Sequence, residues 1–84
     1  MAAARNELIS ALAEHIGTTP LTPGEIESIL ALAAVTAHGT GDRTTAPLAS
    51  FLAGMAAAAA ESRMTALDEI RRYAAELAPG PEGA

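Results

Sequence analysis

Apolar residues in this chain recur at helical spacing throughout, and nowhere do they alternate as a half-buried strand requires. Leu8, Leu12 and Ile16 stand at i, i+4 and i+8, with Ile9 and Ala13 beside them and Glu7 and Glu14 off the stripe. The pattern predicts a first helix, begun at Asn6 or earlier, that buries one apolar stripe. Gly17 falls where a helix ends, and Thr18-Thr19-Pro20 leads the chain away.

Leu21-Thr22-Pro23-Gly24-Glu25 predicts the start of a second helix. Thr22 suits the N-cap, Pro23 the first helical position, and Glu25 completes a capping box, with Leu21 and Ile26 placed as a hydrophobic staple. Apart from His38, no ionisable residue lies between Glu27 and Asp42. A helix apolar on all sides from Ile29 to Val35 belongs at the centre, covered by several neighbours. His38-Gly39 is expected to end it. Thr44 or Thr45 then caps a third helix with Pro47 in its first turn, and Leu48, Phe51, Leu52, Met55 and Ala59 form its inward stripe. Gly54, costly in mid-helix, predicts a close helix contact.

No breaker follows Ala56 to Ala60, so one continuous rod through Arg63 competes with a break near Ser62 and a fourth helix from about Met64. The break is the expectation, because Met64, Leu67, Ile70, Ala74 and Leu77 form a stripe that must fold back to be covered. Residues 79–84 read as a disordered tail. The result is one all-α domain over residues 1–78, a small four-helix bundle with the apolar helix 2 central.

Composition sharpens this picture. Of 84 residues, 22 are Ala, against nine Leu, five Ile and a single Phe. Ala buries little area, so either the core is thin or another chain completes it. The second option is expected, with another protein or a second copy as partner. The net charge is −5, and five Arg are the only Lys or Arg residues. That is no footprint for nucleic acid or an anionic membrane. Glu7, Ser10 and Glu14 interrupt any signal-peptide core, and no apolar run spans a bilayer, so a cytoplasmic location is expected. The absence of cysteine excludes disulfides and thiolate metal sites.

Candidate chemistry concentrates at the bend Gly39-Thr40-Gly41-Asp42-Arg43-Thr44-Thr45. Free N–H groups at a helix start, the Thr44 and Thr45 hydroxyls, Arg43 and a proton from His38 together suit a phosphate or carboxylate. Helix capping alone accounts for most of the same residues. Ser28, in Glu27-Ser28-Ile29, faintly echoes the Asp-Ser-Leu of acyl carrier proteins, and an ordinary first-turn serine explains it as well. His15 and His38 have no metal-ligand spacing, so no metal, cofactor or catalytic group is assigned. Phe51 and Met55 are core residues on periodicity, with a partner interface as the alternative.

Thr36-Ala37-His38-Gly39, Arg43-Thr44-Thr45-Ala46-Pro47-Leu48 and Phe51-Leu52-Ala53-Gly54 resemble a small actinobacterial domain family of unknown function. That family occurs alone or fused to proteins like the nucleotidyltransferase that makes molybdopterin-guanine dinucleotide. Ala34 stands where the family tends to have Arg, and Thr44 where it has Pro, which weakens an anion site here. The resemblance implies a link to molybdenum-cofactor maturation or to molybdoenzymes, without catalysis by this domain. A non-catalytic accessory module is therefore the expected function. An anion- or nucleotide-binding protein using the bend is the alternative, and a carrier protein a remote third.

Overall fold

The computed structural model describes residues 2–78, and side chains from Ala4 onward. Four helices follow one another: α1 (Ala2–Ile16), α2 (Pro23–Thr40), α3 (Thr45–Ala59) and α4 (Arg63–Leu77). The fold is a small all-α four-helix bundle, without strands among the described residues. Residues 79–84, read from sequence as a tail, lie outside the described residues.

The second helix starts as its sequence dictates. The Thr22 side chain accepts from the Glu25 N–H at 3.2 Å, and Glu25 Oε1 accepts from the Thr22 N–H at 2.8 Å. This completes the capping box. The helix ends later than expected. It passes through His38 and Gly39 and stops at Gly41, whose φ of 72° closes the αL cap with a bond from its N–H to the Ala37 carbonyl. Gly39 serves a different purpose. A Cβ there would come within 2.5 Å of the Ala78 Cβ and carbonyl oxygen, so its bare face is where the end of α4 docks.

Helices 3 and 4 are separate. Ala60 leaves the helical region, and Ser62 caps α4 by accepting from the Thr65 N–H at 3.2 Å. The turn folds α4 back on α2, and α2 packs against both α3 and α4. Leu32 of α2, only 1% exposed, meets Ala53 and Ala57 of α3 and Leu67 of α4, with Ile29, Ala66, Ile70 and Ala74 packed around them. Helix 2 is central as expected, but covered on two sides only: Leu30, Ala31 and Ala34 remain exposed.

Two buried stripes expected from periodicity face outward instead. Leu8, Leu12 and Ile16 of α1 are exposed, while Ala13 is buried and Ile9 half-buried. Among the described residues α1 brings no Cα within 8 Å of another helix, and its Arg5 and Ile9 line a small apolar pocket with Leu21, Ile26, Ile29 and Leu30. The other reversed stripe is on α3. The molecule is a slab, 41 × 31 × 18 Å, with a radius of gyration of 13.3 Å. About 12 Å is usual for a compact chain of this length.

Candidate functional site

The start of α3 is held close to the end of α2. Only Gly41 to Thr44 join it to α2, and Thr40 ties both ends: its hydroxyl donates to the Thr36 carbonyl at 2.9 Å and lies 2.9 Å from the Thr45 hydroxyl. In that orientation Ala53 and Ala57 are buried and Ala46, Ala49 and Ser50 half-buried. Small side chains let α3 approach α2 and α4 closely. The opposite side of the helix carries Leu48, Phe51, Leu52 and Met55, and these are 58–69% exposed. The stripe expected inside is the outer face. Gly54, expected at a tight contact, has nothing within 4 Å of where a Cβ would stand.

Beside this face runs an apolar groove of about 340 Å³, with Leu32 at its floor. Leu52, Ala53 and Ala56 of α3 line one side, and Tyr73 and Leu77 of α4 the other. Tyr73 and Leu77 are themselves largely exposed. No charged residue lies between Arg43 and Glu61, so all of α3 is electrically silent. The lining is apolar apart from the Thr36 and Tyr73 side chains. A signal for this surface exists in the sequence: Ala46, Ala49, Ala53 and Ala57 repeat at i, i+3, i+7 and i+11, a second helical stripe as regular as the large one.

At the bend, His38, Arg43 and Thr44 are exposed and Thr45 is half-buried. The Thr44 hydroxyl and N–H both donate to Asp42 Oδ1, at 2.7 and 2.9 Å. Those two bonds, the hydroxyl first, hold the Asp42 carboxyl below its ordinary pKa. The Thr45 N–H donates to the Asp42 carbonyl and the Ala46 N–H to that of Arg43. Pro47 has no N–H. Thus the donors at the start of α3 are engaged within the bend, and Asp42 itself supplies the anion. Thr44 occupies the N-cap position without a capping bond from its side chain. Neither the His38 nor the Arg43 side chain has a hydrogen-bond or ion-pair partner among the described residues.

Ser28 is buried, and its hydroxyl donates to Asp68 Oδ1 of α4 at 3.1 Å. It therefore joins two helices. A further cluster was invisible from sequence. Arg63 reaches Glu25, 38 residues away, with Nη2 at 2.7 Å and Nε at 2.9 Å, and also donates to the carbonyls of Thr19 and Pro20. Glu25 is buried, and the hydrogen bonds from Arg63 keep its carboxyl below the ordinary glutamate value against the opposing effect of burial. This knot fastens the α1–α2 connection to α4.

Among the described residues no three His, Asp or Glu side chains converge as a metal site, and no helix is long and apolar enough to cross a membrane. Comparison with curated proteins and with solved structures finds no match. A family model does match, over residues 2–83, nearly the whole chain. By that match the chain belongs to the family described as Domain of unknown function (DUF6457).

Proposed function

We propose that this domain is a non-catalytic interaction module that offers the outer face of α3 and its adjoining groove to another polypeptide. One observation carries the reading: Leu48, Phe51, Leu52 and Met55 stand exposed on an uncharged helix whose alanine side faces the core. Such a contiguous apolar patch is uncommon on a monomer and costs solubility unless a partner covers it. At about 25 cal/mol per Å², covering it is a substantial driving force.

The resemblance carried by Thr36 to Gly39, Arg43 to Leu48 and Phe51 to Gly54 supplies the partner class to test first. It is a nucleotidyltransferase-like protein of molybdopterin-guanine dinucleotide synthesis, or a molybdenum-cofactor enzyme, in an actinobacterial setting. The domain would act there as an accessory to cofactor maturation in the cytoplasm. The anion-binding reading of the bend has less support, because the Thr44 donors already face Asp42. The carrier reading has less still, because Ser28 is buried against Asp68.

The test is affinity purification of the tagged chain from its native host beside a Phe51→Glu variant of equal helix content. A molybdenum-cofactor protein recovered with the natural chain and lost with the variant is the expected outcome. The same proteins recovered with both would remove α3 from the account.

A further inference from the structure

Building on the reading of α3 as a docking face, we propose that its occupant is a second copy of the chain, with α3 packed on α3 across a two-fold axis. Charge argues for it first. Each copy carries −5, so two copies repel except where the contact is free of charge. In a two-fold contact the same patch meets itself, so a charged side chain close to the axis lies near its own copy, and any charge within the contact must be desolvated. The 17 residues from Thr44 to Ala60 contain no charge at all. The other exposed apolar stripe, on α1, has Arg5 in line with Leu8 and Leu12, and the outer side of α4 carries Glu69, Arg72 and Glu76.

Area argues for it next. Leu48, Phe51, Leu52 and Met55, with Tyr73 and Leu77 across the groove, present on the order of 700 Å² per copy at the usual sizes of such side chains. A standard interface takes about 800 Å² from each partner. A two-fold contact over the outer face of α3 and the groove edge formed by Tyr73 and Leu77 is therefore close to the size a specific dimer needs.

The chain lacks cysteine, which makes the test clean. Sedimentation equilibrium of the natural chain is expected to give twice the 8.4 kDa chain mass. Phe51→Glu and Met55→Glu, with unchanged far-UV circular dichroism, are expected to raise the dissociation constant at least ~100-fold, since each places an unpaired charge in an apolar contact. Met55→Cys is expected to oxidise to a linked dimer much faster than Leu12→Cys, which sits on the exposed stripe of α1. A natural chain monomeric into the high micromolar range overturns the dimer, while the docking reading is then judged separately by whether Phe51→Glu loses its partner protein. A dimer indifferent to Phe51→Glu, or linked faster through Leu12→Cys, also overturns it, by placing the contact elsewhere.

Discussion

Arg63, the first residue of α4, holds Glu25, the third residue of α2, through two hydrogen bonds of 2.7 and 2.9 Å. The same carboxylate closes the capping box of α2, so one buried group serves both the start of a helix and the packing of two. Arg63→Ala leaves that carboxylate without its counter-ion and is expected to cost about 1–3 kcal/mol. Arg63→Lys, which has no planar fork for the pair and the Thr19 and Pro20 carbonyls, is expected to fall between. Urea unfolding at neutral pH measures both.

The same pair gives a pH dependence of known sign. The Glu25 carboxyl titrates lower in the folded chain than in the unfolded one, chiefly through the Arg63 hydrogen bonds. Its stabilisation is therefore complete above the ordinary glutamate pKa of about 4.3 and lost as pH falls through the depressed folded value. Between neutral pH and pH 3, the natural chain is expected to lose more stability than Glu25→Gln. Parallel losses would assign the acid sensitivity to other carboxylates.

Two glycines separate by their surroundings. Gly39→Ala drives a Cβ into Ala78 and is expected to destabilise by about 1–3 kcal/mol, freeing the end of α4. Gly54→Ala meets nothing and is expected to stabilise α3 by about 0.5–1 kcal/mol. Thermal unfolding in a Met55→Glu background, where association through α3 is removed, compares the two.

Ser28→Ala removes the donor to a half-buried Asp68 and is expected to cost about 1 kcal/mol. Incubation of the natural chain with a phosphopantetheinyl transferase and coenzyme A is expected to leave its intact mass unchanged. A mass increase would revive the carrier reading.

At the bend, Asp42→Ala removes the acceptor of both Thr44 bonds and is expected to lower the melting temperature. Arg43→Ala, whose side chain has no partner among the described residues, is expected to leave it unchanged. Inorganic phosphate is expected to give the natural chain no more stabilisation than an equal ionic strength of chloride. A phosphate-specific rise lost in Arg43→Ala would restore an anion site.

How far the fold was legible depended on how local its causes are. The capping box of Thr22 and Glu25, the central place of α2 and the break near Ser62 follow from neighbours in sequence, and all three are present. The roll of α3 is not local. Periodicity marks two stripes on it, one large and one of alanine, and which faces inward depends on how closely α2 and α4 approach. The rule that the larger stripe is buried fails here because the Leu32 and Leu67 side chains fill the core and leave room only for Ala53 and Ala57. The exposed stripe of α1 has another origin, since among the described residues no helix approaches α1 closely enough to cover Leu8, Leu12 and Ile16. The Glu25–Arg63 pair joins residues 38 apart, and no spacing rule reaches that far. At the bend the residue types were plain, but that Asp42 would engage both Thr44 donors depends on the turn geometry.

The most direct test of the α3 face uses its own methionine. Met55 stands on the outer side of α3, and Met64 is half-buried with its sulfur against Gly24. With ¹³C-labelled methionine methyl groups, the natural chain is diluted from about 1 mM to about 10 µM, a range that brackets ordinary weak association. The Met55 methyl is expected to shift and broaden with concentration, or with added partner, while Met64 stays fixed. A Met55 methyl that keeps the shift and relaxation of a solvated side chain throughout, with every partner tried, would contradict the account.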